Sequence, residues 1–540
     1  MVRTVSLAAA LAAWATVGSA APSSYKSNCV TIQHDFNGSQ ALGNPVRAAA
    51  VKAEYVYVWE QYMAQAFPQD ELLALNHTGE DVLFGWGASI IDGLDTAILM
   101  GLHDIVNTQL NFIYNFKFNH SVNGPVDHFD AIIRYLGGLL SAHDILNSNL
   151  VPNGTYEQKY VDALLSQAVV IADGLKPGFN TPSGIPVAYY NYTTGAVSNC
   201  YDFDPNCNST TVSTSQVTTI ILEFFHLSDL TGDTSYRELA ARCEANFLNT
   251  QDTLRYPYLW GTEADYVTGK VITNDVGWQA NIDSGYEYLI KTYVYDPTRA
   301  DEISYKNYWT GVVNSTIDIL ISHPYHRPEL TFISEADVNG TLIYSMDDYS
   351  CFAGGNILLG GQYLGNSEYL DLGFAYTDSC HDLLNTSAAG LNPSQVTWFN
   401  SSNQLYDPSE DTPENVAYAD THGYFVTDPY WDTYPEPLES IFYAYRISGD
   451  QTWADYNWAA FEAMVRDTHQ QAGVSFASLS NVTEPLGGPL DGPVEAFLFA
   501  EVLKYLYLTF APSDIISLDE WVFNTEGHPF KIQTGTCATS

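Results

Sequence analysis

The sequence predicts an all-α protein, and three observations support that class. Apolar residues recur every three or four positions along many segments, as they do on one face of a helix. Turn-rich stretches separate these segments, and the segments come in pairs. The predicted helices cover approximately residues 47–65, 86–103, 129–147, 159–174, 214–231, 235–248, 277–294, 302–321, 351–364, 368–386, 436–448, 451–468 and 493–510.

Two of the pair junctions carry the same capping signal, in which Ser or Thr, Gly and Asp follow an aromatic helix. Gly232 and Gly449 suit the left-handed residue that ends a helix, and Asp233 and Asp450 suit the residue that begins the next one. Repeated helical hairpins without a regular period of about 34 residues favour a closed toroid over an open solenoid. An irregular helical array is the alternative that this pattern leaves open.

Residues 1–20 have the composition of a secretory signal peptide. Arg3 gives the positive start, Val5 to Val17 form an apolar run too short to span a bilayer, and Gly18-Ser19-Ala20 suit the cleavage site. Later segments do not reach a spanning length, and the chain ends without a hydrophobic tail or a retention tetrapeptide. We therefore expect a secreted protein without a membrane anchor, with an N-terminal segment over residues 21–44.

Glycosylation sequons and cysteines indicate the same export route. Asn-x-Ser/Thr sequons occur at Asn37, Asn76, Asn119, Asn153, Asn191, Asn208, Asn314, Asn339, Asn385, Asn400 and Asn481, and they suit the surface loops of a eukaryotic glycoprotein. The seven cysteines fit an oxidising compartment. Cys200 and Cys207 bracket a short loop and can pair, whereas the other pairings stay open and the odd count leaves at least one thiol over.

The charge of the chain excludes one large class of partners. Sixty-three acidic residues against 20 basic ones give a formal net charge of −43, which repels nucleic acid and anionic membranes. A content of 46% hydrophobic and 14% aromatic residues is not that of a disordered chain, and flat aromatic faces suit sugar rings. Because no linker or low-complexity tract divides the chain, we expect one large helical body. We also expect the protein to be a monomer.

Acidic residues occupy positions in apolar helices where core residues are expected. They are Asp92, Asp95, Asp130, Asp283, Glu287, Glu436, Glu439, Glu495 and Glu501, with Thr525 and Glu526 in the closing stretch VFNTEGHPF. Asp130 also lies four residues before Arg134, so both lie on one helix face. One such acid alone is more often a helix cap or a partner of the helix dipole.

Taken together, these acids indicate a functional site rather than a series of helix caps. Many converging carboxylates with few cations to neutralise them favour a glycosidase-like or calcium-containing site. The 13 histidines show no HExxH-type ligand spacing, which disfavours a metalloprotease or a phosphatase.

Six stretches in this order resemble glycoside hydrolase family 47, the class I α-1,2-mannosidases. They are GWGASIIDGLDT, IRYLGGLLSA, DSGYEYLIK, PEPLESIFYAYRISGD, AEVLKYLYLTF and VFNTEGHP. The resemblance covers about residues 45–530, which it assigns to a catalytic (αα)7 barrel followed by a tail over 531–540. It also implies a calcium ion at the base of the cavity and the removal of terminal α-1,2-linked mannose from glycans with inversion.

The resemblance assigns chemical roles residue by residue. Asp130 matches the general acid, Glu436 the general base that activates water, and Asp283 a second catalytic acid. Thr525 matches the residue that holds calcium. Further implied cavity residues are Arg134, Glu439, Glu501 and Glu526, with Phe497 as the platform for the sugar ring and Cys351 and Cys380 as a disulfide.

The chain departs from the family pattern at several of these positions. Asp130 stands where the family has glutamate, and an acid misplaced by about 1 Å can lose on the order of a hundredfold in rate. Gln216 and Ser394 also replace glutamates, and Asn281 and Tyr434 replace arginines. Since charge pairs have changed together, we expect a cavity remodelled around a different leaving-group sugar, with the calcium end kept.

Three functions follow from these matches and departures. The first is a secreted, calcium-dependent, inverting exo-α-mannosidase, which Asp283, Glu436 and Thr525 favour. The second is a glycosidase of the same scaffold with a different linkage or sugar specificity, which the four further replacements favour. The third is a catalytically silent glycan-binding protein, and the carboxylate retained at position 130 argues against it.

Overall fold

The structure is a computed structural model that describes residues 30–533, apart from 123, 201–207, 251–253, 300–301, 472 and 475. The predicted signal peptide, residues 21–29 and residues 534–540 lie outside the described part of the chain. Cys29, Cys207 and Cys537 lie outside it as well.

Helices dominate the described residues. The α-helices are α1 (Pro45–Gln65), α2 (Ala88–Leu99), α3 (His103–Asn115), α4 (His128–Asp130), α5 (Gly137–Asn147), α6 (Gln158–Leu175), α7 (Thr214–Thr218), α8 (Ile221–Thr231), α9 (Thr234–Leu248), α10 (Asp283–Tyr295), α11 (Glu302–Ser315), α12 (Phe352–Leu364), α13 (Ser367–Thr386), α14 (Pro413–His422), α15 (Glu436–Ser448), α16 (Gln451–Thr468) and α17 (Leu503–Phe510). Short 3-10 helices lie at Gln40–Leu42, Lys176–Phe179, Asp348–Cys351, Pro408–Glu410 and Pro485–Gly487.

Fourteen of these helices form the two concentric layers of an (αα)7 barrel. The inner ring runs α2, α5, α8, α10, α12, α15, α17 and back to α2, each helix contacting the next, with the α17–α2 contact completed by the segment just before α17. The outer helices α3, α6, α9, α11, α13, α16 and α1 each pack mainly against one inner helix, and α13, α16 and α6 also contact a second one. The predicted all-α barrel class is therefore confirmed.

Burial explains why each helix occupies its layer. On α2, every residue from Ala88 to Ile98 is buried, and on α12 every residue from Phe352 to Gly361 is buried, as expected for helices packed on all sides. On α1 the buried apolar positions include Val51, Tyr55, Val58 and Tyr62, which lie on one face. An outer helix therefore needs one apolar stripe, whereas an inner helix is buried almost all round.

The junctions between paired helices end as the sequence predicts. Gly232 and Gly449 adopt the left-handed conformation, with φ of 74° and 72°, at the ends of α8 and α15. Asp233 and Asp450 cap the following helices by accepting hydrogen bonds of 2.9 Å from Ser235 N and Thr452 N.

Several predicted helices have different boundaries in the structure. The segment predicted at 277–294 becomes helical only at Asp283, because Asn281 adopts a positive φ of 74° just before it. Helices α3 and α14 lie outside the predicted segments.

Three helices contain wider π-helical turns, at Ala131–Leu136, Thr316–Leu320 and Leu498–Val502. Such turns are often found at functional sites, and the first and last of them contain Arg134 and Glu501.

The strands are short and form small antiparallel sheets at the ends of the helices. They are β1 (Glu71–Leu73), β2 (Thr78–Glu80), β3 (Val126–Asp127), β4 (Tyr189–Asn191), β5 (Ala196–Ser198), β6 (Thr211–Ser213), β7 (Glu263–Asp265), β8 (Lys270–Val271), β9 (Ile321–Ser322), β10 (Phe332–Ile333), β11 (Glu335–Ala336), β12 (Leu342–Ile343), β13 (Ser345–Asp347), β14 (Gln395–Thr397), β15 (Phe425–Asp428), β16 (Ser478–Leu479), β17 (Leu490–Asp491), β18 (Trp521–Phe523) and β19 (Pro529–Lys531). Residues 524–528 join β18 to β19, and we call them the base turn.

The base turn lies inside the helical ring, where two glycines make room for it. Strand β18 contacts α10, and β19 contacts α5. A Cβ atom on Gly137 would lie 2.6 Å from Asn524 Nδ2, and one on Gly138 would lie 3.2 Å from His528 Cε1. The Gly-Gly pair at the start of α5 therefore permits the close approach of the turn.

Cys351 and Cys380 form a disulfide that links the start of α12 to α13, as the resemblance implies. Cys243 is a buried free thiol, which accounts for one odd cysteine. Cys200 is also disulfide-bonded. Among the described residues, no helix is long and apolar enough to cross a membrane.

Candidate active site

The base turn is held by a single asparagine that uses both ends of its side chain. Asn524 Oδ1 accepts hydrogen bonds from the backbone N–H groups of Glu526 and His528, at 2.9 and 2.8 Å. Asn524 Nδ2 donates to Ile133 O at 2.9 Å and to Glu223 Oε1 at 2.8 Å. These bonds fix the conformation of the turn and tie it to two walls of the barrel.

A buried ion cluster holds the other side of the base turn. Asp95 accepts hydrogen bonds from Lys504 Nζ at 2.9 Å, His528 Nδ1 at 2.8 Å and Ser141 Oγ at 2.8 Å. Burial raises the pKa of Asp95, but the charges of Lys504 and His528 outweigh it and hold that pKa at about 2. Lys504 Nζ also donates to Gly527 O at 2.6 Å, so the cluster anchors the turn directly.

Thr525 and Glu526 project from this turn into the cavity. Thr525 is half-buried, while its neighbours Asn524 and Glu526 are fully buried. Thr525 Oγ1 donates to Glu287 Oε2 at 2.7 Å. Glu287 also pairs with Lys291 one turn further along α10, and Lys291 Nζ lies 3.6 Å from Glu439 Oε1. The predicted residues Thr525 and Glu439 are thus connected through Glu287 and Lys291.

Arg134 is the second cation of the cavity and contacts three carboxylates. Its Nε lies 3.1 Å from Asp130 Oδ1 and its Nη1 lies 3.4 Å from Asp92 Oδ2. Its Nη1 also contacts Glu526. Asp130 and Arg134, which the sequence places on one helical face, therefore form an ion pair. The side chain of Asp130 is partly exposed.

The cavity floor carries more carboxylates than cations. Burial raises the pKa of Glu439 to about 8, with Lys291 opposing the rise, and raises that of Glu526 to about 7, with Arg134 opposing it. Burial and the negative charges of Glu526 and Glu436 hold the pKa of Glu501 well above its usual range. Crowded carboxyls of this kind either retain protons or bind a cation.

Glu436 and Asp283 begin the helices α15 and α10. Burial holds the pKa of Glu436 well above its usual range, and the carboxylates of Asp348 and Glu439 add to the effect. Glu436 Oε2 is buried and makes no hydrogen bond to a described residue. Burial raises the pKa of Asp283 to about 7, and the charge of Asp347 contributes. Two carboxyls with raised pKa values therefore lie near each other on the wall of the cavity.

An aromatic cluster lies between the arginine side and the Glu436 side. The rings of Tyr434 and Phe497 stack with centroids 5.5 Å apart and an interplanar angle of 15°. The guanidinium of Arg134 lies 5.7 Å from the Phe497 centroid. Tyr349 Oη donates to Tyr434 Oη at 2.6 Å. The predicted platform Phe497 is thus stacked on Tyr434, which is hydrogen-bonded to Tyr349.

The remaining predicted positions lie around the edge of this arrangement. Gln216 is half-buried in α7, and the neighbouring Ser215 N donates to Asn281 O at 2.9 Å, beside Asp283. The side chain of Asn281 is exposed. Ser394 accepts a hydrogen bond from Asp348 N at 3.0 Å through its carbonyl, and its Oγ donates to Tyr430 O at 2.9 Å. Ser394 thus supports the segment that carries Asp348 and Tyr349.

Sequence reasoning missed several residues that the structure places in the site. Glu223 accepts from Tyr288 Oη at 2.6 Å and from Asn524, and Asp348 accepts from Asn392 Nδ2 at 2.8 Å. Asp127 caps α4, beside Asp130, and burial raises its pKa to about 8. The i, i+4 pair of Glu287 and Lys291 was visible in the sequence, but the others had no local signal.

A closed ring of helical hairpins with crowded buried carboxylates fits a glycoside hydrolase, and the comparisons show that class and its family. The chain matches Glycosyl hydrolase family 47 over residues 54–532. It belongs to that family, and the resemblance in the sequence is confirmed.

Similar proteins cover nearly the same length. The mannosyl-oligosaccharide alpha-1,2-mannosidase 1B of Aspergillus phoenicis is 36% identical over 498 residues, covering 90% of this chain and 92% of that protein. The mannosyl-oligosaccharide alpha-1,2-mannosidase of Penicillium citrinum is 35% identical over 518 residues, covering 93% and 96%. The solved alpha-1,2-mannosidase from Trichoderma reesei superposes with a TM-score of 0.84 at 36% identity, covering 91% of this chain and 100% of that one.

Glu223→Gln tests the electrostatics of the cavity floor. Burial raises the pKa of Glu223 to about 7, whereas an unfolded glutamate titrates at about 4.3. Between these values the folded state binds more protons, so the free energy of unfolding falls as the pH rises. With chelator present, Glu223→Gln should be no more stable than the parent at pH 4.5 but more stable at pH 7.5, by roughly 3 kcal/mol.

Denaturant unfolding of both proteins at several pH values measures this difference. The exposed Glu157→Gln is the control and should follow the parent at every pH. A difference between Glu223→Gln and the parent that stays constant with pH would show that Glu223 does not titrate in this range.

Proposed function

We propose that the protein is a secreted, calcium-dependent exo-α-mannosidase that removes terminal α-1,2-linked mannose from glycans with inversion. One observation carries the proposal: Arg134 joins Asp130 to Glu526 of the base turn, and Glu436 lies near Asp283 and Glu439, in a chain 36% identical to an enzyme named as an alpha-1,2-mannosidase. The predicted signal peptide and the sequons support secretion.

Glu436 is the proposed general base. Its buried Oε2 makes no hydrogen bond to a described residue, so it is available to accept a proton from the attacking water. Its raised pKa makes the carboxylate a stronger base than an exposed glutamate once it is ionised. In an inverting reaction this water attacks the anomeric carbon from the face opposite the leaving oxygen.

Asp130 is the proposed general acid, and Asp283 is the proposed second acid. Asp130 is held by Arg134 Nε at 3.1 Å, while part of its side chain remains exposed to the cavity. Arg134 stands between Asp130 and Glu526, so it connects the acid to the cavity floor. Proton transfer from Asp130 to the leaving oxygen would complete the cleavage of the glycosidic bond.

The residues around Thr525 fit a calcium ion. The donors are all oxygens, from the Thr525 hydroxyl and the carboxylates of Glu287, Glu439, Glu501 and Glu526, as a hard cation prefers. Among the described residues, no three His, Cys, Asp or Glu side chains are arranged to hold a metal ion. The resemblance to family 47 implies Thr525 as the direct protein ligand, with the carboxylates acting through water. The bound ion would hold hydroxyls of the terminal sugar.

Mannose release tests the proposed function. The full chain is incubated with calcium at about pH 5 to 6 with α-1,2-, α-1,3- and α-1,6-linked mannobiose and a high-mannose N-glycan, and free mannose is measured with its anomeric configuration. Release of β-mannose from α-1,2 linkages supports the proposal. Release from another linkage alone would indicate changed specificity, and no release from any of them would contradict a mannosidase.

Glu436→Gln should abolish turnover and leave the fold intact. Removal of a general base costs about 10²- to 10⁴-fold in kcat, and an amide of the same shape keeps the packing at the start of α15. The measurements are kcat on the preferred mannoside and the melting temperature. Glu520→Gln, which changes an exposed glutamate outside the cavity, is the control. Ordinary activity of Glu436→Gln would remove Glu436 from its proposed role.

Asp130→Glu should raise kcat/KM on α-1,2-mannobiose, because the added methylene restores the reach of the family's acid. The expected gain is about 10- to 100-fold. Asp130→Asn, which has the size of aspartate but no proton to give, should be inactive in the same assay. If Asp130→Glu lowers activity on every mannoside of the panel, the cavity is adapted to the shorter acid.

Calcium should stabilise the folded protein as well as support activity. A ligand present at 100 times its dissociation constant adds about 2.7 kcal/mol to the free energy of unfolding. EDTA should therefore lower both the melting temperature and the activity, and calcium should restore them. Thr525→Ala should lose this response, while Thr525→Ser keeps the hydroxyl and retains it. A melting temperature that EDTA does not change would contradict the metal site.

A further inference from the structure

The proposed chemistry gives no role to the two tyrosines of the aromatic cluster, which consists of Tyr349, Tyr434 and Phe497. The rings of Tyr349 and Tyr434 lie with centroids 4.3 Å apart at 55°, and their hydroxyls are joined at 2.6 Å. Tyr434 stacks on Phe497, which is 7% exposed. Both tyrosines are half-buried, so part of each ring remains accessible.

The order of residues along the inner helices gives the depth of this cluster. On α10, Lys291 and Glu287 contact the base turn, and Asp283 lies one turn, about 6 Å, further from it. On α15, Glu439 lies near Lys291, and Glu436 comes one turn earlier. Helices α10 and α15 therefore both begin on the side away from the base turn.

Tyr434 precedes the first residue of α15, so it lies further from the base turn than Glu436 does. Tyr349 lies in the short helix just before α12, another inner helix, and reaches the same level through its bond to Tyr434. If the terminal sugar occupies the floor beside Thr525, the next sugar lies at the level of the two tyrosines.

The chemistry of the cluster at this level is aromatic and uncharged. A tyrosine ring offers a flat face to the C–H groups of a pyranose, and a hydroxyl at its edge offers a hydrogen bond. The Tyr349–Tyr434 bond holds the two rings in place, which reduces the entropy lost when a ligand binds. Charged side chains, by contrast, would require a matched pattern of sugar hydroxyls.

We propose that Tyr349 and Tyr434, supported by Phe497, form the subsite for the leaving-group sugar and bind it by stacking on one face of its pyranose ring. This inference rests on the proposed function, because it takes the floor as the site of the terminal mannose. The subsite binds a neutral sugar through contact between the tyrosine rings and one face of the pyranose ring. A leaving group without a ring, such as a methyl group, gains nothing from it.

Binding to a chain that cannot turn over isolates this subsite. Glu436→Gln is titrated in a calorimeter, with calcium, against α-1,2-mannobiose and against methyl α-mannoside. Mannobiose should bind more tightly, because only it reaches the tyrosines. Adding Tyr434→Leu should weaken mannobiose binding about tenfold, which corresponds to about 1.4 kcal/mol, and should leave methyl α-mannoside unchanged. Adding Tyr434→Phe, which keeps the ring, should retain most of the difference.

Kinetics on the active chain give a second measurement. Tyr434→Leu should raise KM for α-1,2-mannobiose about tenfold with little change in kcat, because ground-state and transition-state binding lose the same contact. Tyr349→Leu should change KM in the same direction, which provides a second variant if Tyr434→Leu does not fold.

Several outcomes would overturn the proposed subsite. One is that Glu436→Gln binds the two mannosides equally well. The others are that adding Tyr434→Leu weakens the binding of both mannosides to the same extent, or weakens the binding of neither. The failure of the proposed function is a separate result. A wild-type chain that releases no mannose while Glu436→Gln still prefers mannobiose would contradict the enzyme but support the subsite. Failure of Glu436→Gln to bind either mannoside would contradict both.

Discussion

The fixed conformation of the base turn is the constraint on which the rest of the site depends. Asn524 satisfies two backbone N–H groups of the turn and donates to Ile133 O and Glu223, and together with the bond from Lys504 to Gly527 O it sets the positions of Thr525 and Glu526. The turn can enter the barrel because Gly137 and Gly138 carry no side chains at the point of contact. Any larger residue there would displace the turn and, with it, the cavity floor.

The electrostatics of the cavity follow from this burial. Carboxylates that line a closed ring of apolar helices lose their hydration, and within the described residues Arg134 and Lys291 are the cations that contact those of the floor. The Asp95 cluster is different, because Lys504 and His528 balance its charge and the group serves as an anchor. The two groups of acids therefore differ in their charge balance. In the Asp95 cluster the cations neutralise the carboxylate, whereas on the floor the carboxylates outnumber the cations and can take part in catalysis or bind a metal ion.

Many residues of the candidate site were named from the sequence, but not all of them. Long acid-bearing segments such as DSGYEYLIK identify Asp283 directly, and the spacing of Asp130 and Arg134 shows that they share a face. Asp348 and Glu223 were missed because their part in the site depends on neighbours distant in sequence, Asn392 and Asn524. The helix before Asp283 was predicted too long because periodicity does not reveal a residue that adopts a positive φ.

The sequence by itself determined the class of fold, the paired helices, their caps and the acidic character of the cavity, because these follow from local periodicity, from residue type and from motifs that the family shares. Only the tertiary structure decided which acids are neutralised and which rings meet. Tyr349 and Tyr434 are 85 residues apart, and their hydrogen bond exists because the ring closure brings the starts of α12 and α15 together. A contact of that kind is set by packing across the barrel, which no local pattern records.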